Sequence, residues 1–175
     1  MIEDEGSGPT RPWGRIALIS VPAIVLAGSA SGWLSGSGYG NPWFDGLEKP
    51  GFMPPGWAFG VVWPILYACL GAAVAMIHAL PPSAAKRKTL ILFYVQLALN
   101  FAWSPVFFGA HDMRAAAVII VMMLAIAAGA AGQFFRLRPV AGYLMVPYLA
   151  WLVFATTLNT AILNLNPGRN VSLLS

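Results

Sequence analysis

Charged residues divide this chain into long apolar stretches. The charge-free intervals run over residues 16–44, 50–85, 89–111, 115–135 and 139–168. Each of them exceeds the roughly 20 helical residues that cross a hydrocarbon core about 30 Å thick. The apolar residues also cover every side of these stretches, whereas a helix on the surface of a soluble domain keeps a polar face. The pattern therefore predicts helices that are surrounded by lipid.

The limits of the apolar runs predict five membrane-spanning helices. They cover residues 16–34, 57–80, 89–109, 115–135 and 140–165. These runs are rich in Ala and Leu, unlike the alternating segments of about ten residues in a membrane barrel. The predicted fold class is an all-α membrane protein, a bundle of five transmembrane helices over residues 15–166. A flexible tail at 1–14 and a C-terminal tail at 167–175 are expected to flank it.

The composition and the charge distribution support a membrane protein and predict its orientation. Hydrophobic residues make up 58% of the chain and charged residues only 9%. Seven Lys and Arg fall at the end of the bundle that holds the N-terminus, and three fall at the other end, which are Lys49, Arg114 and Arg169. The positive-inside rule places the N-terminus in the cytoplasm, and the first loop and the C-terminus outside a bacterial cell membrane. Lipid head groups account for these basic residues, so no nucleic-acid partner is predicted.

The loop between the first two spans, residues 35–56, is unusually long and rich in rings and prolines. It contains Trp43, Phe44, Pro54 and Pro55. A loop that is only solvated rarely carries so many apolar groups. We expect it to fold over the mouth of the bundle as a lid; the alternative is a loop that lies in the membrane interface as part of an aromatic belt.

Conventional catalytic and metal-binding patterns do not occur in the sequence. None of the predicted spans contains Asp, Glu, Lys or Arg, which ion-driven transporters keep at bilayer depth. His78 and His111 lie near span ends and are interpreted as interfacial, and Cys69 as a small buried apolar residue. We therefore predict no metal site, no obligatory cofactor and no acid–base or hydrolytic catalysis.

Aromatic and amide side chains recur at helical spacing in three of the predicted spans. They are Phe59, Trp63 and Tyr67 in the second span, Gln96, Asn100, Trp103 and Phe107 in the third, and Tyr148, Trp151, Ala155 and Asn159 in the fifth. Ordinary packing with interfacial tryptophans is one interpretation of these positions. An amide at bilayer depth, such as Asn100, nevertheless needs hydrogen-bond partners. A cavity for a large, flat, mostly apolar ligand with a few carbonyl or carboxylate groups is the other interpretation.

Small residues in the first span predict close contact between helices. Gly28, Gly32 and Gly36 follow one another at four-residue spacing, which lets two helices approach closely in lipid. We favour packing within the chain over dimerisation for this face.

Several ordered motifs carry a resemblance to a known family. They are Leu47-Glu48-Lys49-Pro50, Pro54-Pro55-Gly56-Trp57-Ala58-Phe59, Val62-Trp63-Pro64-Ile65-Leu66-Tyr67, Gln96-Leu97-Ala98-Leu99-Asn100-Phe101-Ala102-Trp103-Ser104-Pro105, Phe107-Phe108, Pro147-Tyr148, Trp151, Phe154-Ala155 and Leu158-Asn159. From the first span to about Asn166 the chain resembles the TspO/MBR family of tryptophan-rich sensory proteins and translocator proteins, which includes the peripheral-type benzodiazepine receptor. The segment 164–169 departs from it, because the cholesterol-recognition motif of the animal members is absent.

The resemblance implies a five-helix fold, commonly dimeric, with a ligand pocket beneath the first loop. It implies binding of porphyrins such as protoporphyrin IX and haem, and of isoquinoline carboxamide and benzodiazepine drugs. The residues that match pocket-lining positions of the family are Trp63, Asn100, Trp103, Trp151 and Ala155. The leading hypothesis is a non-enzymatic tetrapyrrole receptor or sensor that acts in porphyrin handling or oxidative stress. The alternatives are a light-dependent porphyrin-degrading activity, with Trp63 and Trp151 as redox partners, and a passive porphyrin or lipid transporter.

Overall fold

The computed structural model describes residues 12–171, and within them the chain is helical. Its helices are α1 (Trp13–Leu34), α2 (Pro42–Asp45), α3 (Gly56–His78), α4 (Ala84–Ser104), α5 (Met113–Leu137) and α6 (Pro139–Leu165). Five of the helices are long and apolar enough to cross a membrane. The predicted fold class is therefore confirmed. Of the tail expected at 1–14, residues 1–11 lie outside the described residues, and Trp13 and Gly14 already belong to α1.

Polar side chains and prolines set the limits of the helices. Ser83 Oγ accepts the Lys86 N–H at 3.1 Å at the start of α4, and the Asp112 carboxylate accepts two backbone N–H groups at the start of α5. Pro105 ends the regular part of α4, and residues 105–109 continue it as a π-helical turn. Pro105 cannot donate to the Phe101 carbonyl, which instead accepts the Ser31 hydroxyl of α1 at 2.7 Å.

The two ends of the bundle differ in their connections. At one end, called the lid end below, the 35–55 loop, the 110–112 turn and the segment 166–171 meet. The far end holds the start of α1, the short 79–83 connection and Arg138, which alone separates α5 from α6. Part of the predicted C-terminal tail is held in place, because Val171 N donates to the His111 carbonyl at 3.1 Å. Residues 172–175 of that tail lie outside the described residues.

The helices pack as two groups that α3 connects. The first group is α1 on α3, and the second is α4, α5 and α6, with α3 resting on α6. Gly28 lies directly against the Tyr67 ring of α3, so this member of the predicted small-residue face packs within the chain. Gly36 lies beyond α1, with a φ of 59° that suits glycine in the turn.

Candidate functional site

A cavity of about 480 Å³ lies inside the bundle at the lid end. Its walls come from α1, α3, α4, α5 and α6, and the 35–55 loop covers it. Every residue that lines it in the described part of the chain is uncharged. The wall is mostly aromatic and aliphatic, with a few hydroxyl and amide groups, which is the composition that suits an apolar ligand with few polar substituents.

Most of the residues predicted for the site lie on this wall. The lining positions among them are Phe59, Trp63, Tyr67, Asn100, Trp103, Phe107, Ala155 and, from the loop, Phe44. Gln96, Tyr148 and Trp151 do not line the cavity and lie behind the residues that do. Of the remaining loop residues predicted for the lid, Trp43 stacks on the His111 ring at 4.4 Å, whereas Pro54 and Pro55 lead into α3.

Sequence reasoning missed the contribution of α1 and of the loop backbone. The lining residues not predicted for the site include Gly28, Ser31, Gly32, Ser37, Gly38, Tyr39 and Met53. The four-residue glycine spacing of α1 was the available signal. It was interpreted as a packing face alone, whereas Gly28 both packs against Tyr67 and lines the cavity, and Gly32 lines the cavity one turn later.

A buried chain of hydrogen bonds runs from the cavity wall into the bundle behind it. The Tyr67 hydroxyl donates to Asn100 Oδ1 at 2.7 Å, and Asn100 Nδ2 donates to the Tyr148 hydroxyl at 3.1 Å. The Tyr148 hydroxyl donates in turn to Gln96 Oε1 at 2.7 Å. Asn100 was expected to need hydrogen-bond partners, with a ligand as one possible source, and Tyr67 and Tyr148 already satisfy the amide oxygen and one amide proton. Asn100 thus holds the Tyr67 ring in the cavity wall through this hydrogen bond.

A second polar contact fixes the wall formed by α4. Trp103 Nε1 donates to Asn159 Oδ1 at 3.2 Å, and Asn159 Nδ2 donates to the Met113 carbonyl at 3.1 Å. The Trp103 ring stacks on Phe107 with their centroids 5.0 Å apart and an interplanar angle of 23°. Because its N–H is already bonded, Trp103 offers a ligand a ring face rather than a hydrogen bond.

A cluster of rings forms the opposite wall. Trp63 lies against Tyr67 at 5.3 Å and meets Trp151 edge to face at 6.3 Å. Phe59 makes a similar edge contact with Trp151 at 5.8 Å. Trp151 Nε1 is buried without a hydrogen-bond partner in the described structure, as is Ser104 Oγ on the cavity wall. Trp151 therefore acts through Trp63 and Phe59, whose rings it supports.

The loop is anchored over the cavity at several points. Phe44 is 2% exposed and packs on Phe107 and Phe108. The Lys49 ammonium donates to three loop carbonyls at 2.8 to 3.2 Å and lies over the Phe44 ring at 4.7 Å. The side-chain amide of Asn166 bonds both the N–H and the carbonyl of Glu48 at 2.9 Å. The loop consequently forms a lid that is tied to itself and to the end of α6.

Comparison with known proteins identifies the family. The model of the TspO/MBR family matches residues 20–165. The chain belongs to the TspO/MBR family. The translocator protein of Sus scrofa is 39% identical over 156 residues, which cover 85% of this chain and 92% of that protein. The tryptophan-rich sensory protein of Cereibacter sphaeroides is 38% identical over 129 residues, which cover 74% and 80%. The tryptophan-rich protein TspO of Archaeoglobus fulgidus is 35% identical over 149 residues, which cover 84% and 94%.

The TspO/MBR match covers α1 from Ser20 onward, the lid, and the other four membrane-crossing helices. Every residue that lines the cavity therefore lies within the family match. The segment that anchors the lid at Asn166 begins one residue after the match ends.

Proposed function

We propose that this TspO/MBR protein is a membrane receptor or sensor that binds tetrapyrroles such as protoporphyrin IX and haem beneath the lid. It takes part in porphyrin handling or in the response to oxidative stress. The observation that carries the proposal is the cavity of about 480 Å³, whose ring faces suit a flat apolar macrocycle. The same walls suit isoquinoline carboxamide and benzodiazepine drugs. A homodimer is the proposed assembly.

The uncharged wall constrains how a porphyrin is held. Burying a carboxylate among uncharged groups is costly, so the two propionates remain at the mouth of the cavity, near head groups and water. The macrocycle lies between the Trp63 face and the stacked rings of Trp103 and Phe107. The binding energy then comes mainly from burial of the ring system.

Titration of protoporphyrin IX into purified protein in lipid nanodiscs tests the proposal. Ala155 lines the cavity from α6, whereas Ala150 is exposed on the same helix. Ala155→Phe fills part of the cavity and weakens binding by about tenfold or more. Ala150→Phe is the matched control and retains the affinity of the parent protein. Equal affinity of both variants would show that porphyrin binds elsewhere.

The contact between two indoles supports a second candidate function, light-dependent porphyrin degradation. Trp63 lies on the cavity wall and Trp151 meets it at 6.3 Å, so an electron can pass between them. In this proposal an excited porphyrin exchanges one electron with Trp63, Trp151 shares the resulting radical, and dioxygen is the oxidant for net degradation.

Illumination separates this activity from binding alone. Trp63→Phe and Trp151→Phe keep ring burial but remove the readily oxidised indole. If the second function holds, the parent protein bleaches bound protoporphyrin faster than either variant does, at equal porphyrin occupancy. Bleaching at the rate of free porphyrin in detergent, for parent and variants alike, would leave a receptor only.

The orientation of the chain in a bacterial cell membrane is also a proposal. It rests on the seven-to-three division of Lys and Arg that the sequence predicts between the side of the N-terminus and the side of the first loop. We expect a reporter fused after Arg169 to be active outside the cytoplasm and one inserted near Lys86 to be active inside. The reverse activities would place the lid in the cytoplasm.

A further inference from the structure

The seam between α1 and α3 is closed in the half nearer the far end. A Cβ added to Gly71 would stand 2.6 Å from the Val21 Cα atom of α1. The Ser20 hydroxyl crosses this contact to the Gly71 carbonyl at 2.8 Å. One helical turn or two nearer the lid, a Cβ on Gly28 would overlap the Tyr67 ring. Up to this level no gap separates the two helices.

The same seam is open in the half nearer the lid. A Cβ added to Gly60 of α3 would meet no atom within 4 Å. One added to Gly32 of α1 would meet only the Ser37 hydroxyl of the lid, at 3.0 Å, and nothing from α3. The two helices therefore diverge after the contact between Gly28 and Tyr67. We call this opening, bounded by Ser29, Gly32 and Gly60, the portal.

The portal joins the cavity to the lipid-facing surface. Its three bounding residues all line the cavity, and Ser29 and Gly60 are also exposed. Trp33, at the edge of the opening, lines the cavity and is 81% exposed.

The route through the lid is closed by comparison. The Phe44 ring of the lid is 2% exposed and packs on Phe107 and Phe108, in the π-helical turn that follows α4. Passage from water requires release of the Asn166 amide from the N–H and the carbonyl of Glu48, and removal of the Phe44 ring from Phe107 and Phe108. Each of these hydrogen bonds contributes about 1 kcal/mol, so an open lid is a minor population.

The portal lies close to the membrane interface. Gly60 is four residues from the start of α3, or about 6 Å along the helix axis at 1.5 Å per residue. The exposed indoles of Trp33 and Trp57 lie at the same end, where tryptophan typically marks the head-group region. Pro64 removes the helical donor of the Gly60 carbonyl, which leaves a backbone acceptor beside the opening.

From these observations we infer that ligands reach the cavity sideways, from the membrane leaflet at the lid end, through the portal between α1 and α3. The inference rests on the proposed function, because it names the route to the same cavity. It also names the ligand class: molecules that dissolve in the bilayer, with an apolar ring system that enters first and polar groups that stay at head-group level. The lid then serves as a fixed roof over the cavity.

A leucine side chain introduced into the portal tests whether ligands pass through it. Gly60→Leu places its side chain in the open gap and improves helix propensity, so the fold tolerates it. Gly129→Leu is the matched control, because Gly129 is exposed on α5 and its added Cβ also meets nothing within 4 Å. Binding of protoporphyrin IX to each protein in nanodiscs is followed by stopped-flow fluorescence, for association and for dissociation.

We expect Gly60→Leu to slow association by on the order of tenfold and to slow dissociation as well, because a plugged route hinders both directions. Gly129→Leu retains both rate constants. Unchanged rates in Gly60→Leu, or faster dissociation with unchanged association, would overturn the portal while leaving porphyrin binding intact. Absence of binding to the parent protein would instead overturn the proposed function and the portal with it.

Discussion

The far half of the bundle and the lid half are both built from apolar helices, but the helices pack closely in the far half and surround a cavity in the lid half. In the far half, Leu70, Ile77 and Phe134 are enclosed on all sides, and α1 touches α3 through glycine. In the lid half the helices diverge around a cavity, and a separately anchored loop closes the end. Packing in one half thus supplies the stability that lets the other half stay hollow. Substitutions in the two halves should therefore separate into effects on folding and effects on binding.

Two glycines of α3 give the strongest contrast between the halves. Gly71→Ala forces a methyl group against the α1 backbone, which cannot yield as a side chain can. We expect a loss of about 2 to 3 kcal/mol in the free energy of unfolding, measured by denaturation in mixed detergent.

Gly60→Ala is the control on the same helix. Its methyl group stands in the portal, where it meets nothing within 4 Å, so the gain in helix propensity stabilises the protein by about 0.5 to 1 kcal/mol. Equal destabilisation by both changes would contradict the division of the seam into a closed and an open half.

The buried tyrosine behind the cavity marks the boundary between the halves. Tyr148→Phe removes the hydroxyl that joins Asn100 to Gln96, and both amides lose a partner in an apolar surrounding. We expect a loss of about 2 kcal/mol in the free energy of unfolding. The same change at Tyr143, which is exposed on α6, should have almost no effect. A stable Tyr148→Phe protein with weakened porphyrin binding would instead assign this hydroxyl to the ligand.

The sequence was sufficient to predict the helices but only part of the cavity. Charge-free runs specify spans because lipid offers the backbone no other partner. Four-residue spacing placed Phe59, Trp63 and Tyr67 on one face of α3, and all three line the cavity. Spacing alone could not separate the rings that line a cavity from those behind them, as with Trp151. Nor could it show that Ser31 meets the carbonyl freed by Pro105, since that contact depends on how two distant helices cross.

The anchor of the lid is expected to act locally. Asn166→Ala removes two hydrogen bonds to the Glu48 backbone, and the lid opens more often without unfolding the far half. Hydrogen exchange of the lid amides should accelerate by about tenfold, which corresponds to about 1.4 kcal/mol. Asn164→Ala, at an exposed position of the same helix, is the control. Faster exchange throughout α3 and α6 would show that the lid and the bundle open as one unit.

The smallest expected effect is the difference in unfolding free energy between Phe variants of two tryptophans near the cavity, Trp103 and Trp151. Trp103 Nε1 has a partner in Asn159 at 3.2 Å, whereas Trp151 Nε1 is buried without one in the described structure. Replacing each by Phe removes a similar ring volume, so the cost of the smaller ring is common to both. Trp103→Phe also leaves Asn159 Oδ1 without its donor, while Trp151→Phe removes a polar group that had gained nothing from burial.

We therefore expect Trp103→Phe to cost about 1 kcal/mol more unfolding free energy than Trp151→Phe does. Because the comparison is a difference between two ring truncations in one membrane protein, errors from the detergent and from the unfolded state largely cancel. Measuring the unfolding free energy of both variants with saturating porphyrin also tests how the ligand is held. A ligand that bonds the Trp151 indole would reverse the order in its presence, whereas a ligand held by ring burial alone would stabilise both variants equally and preserve it.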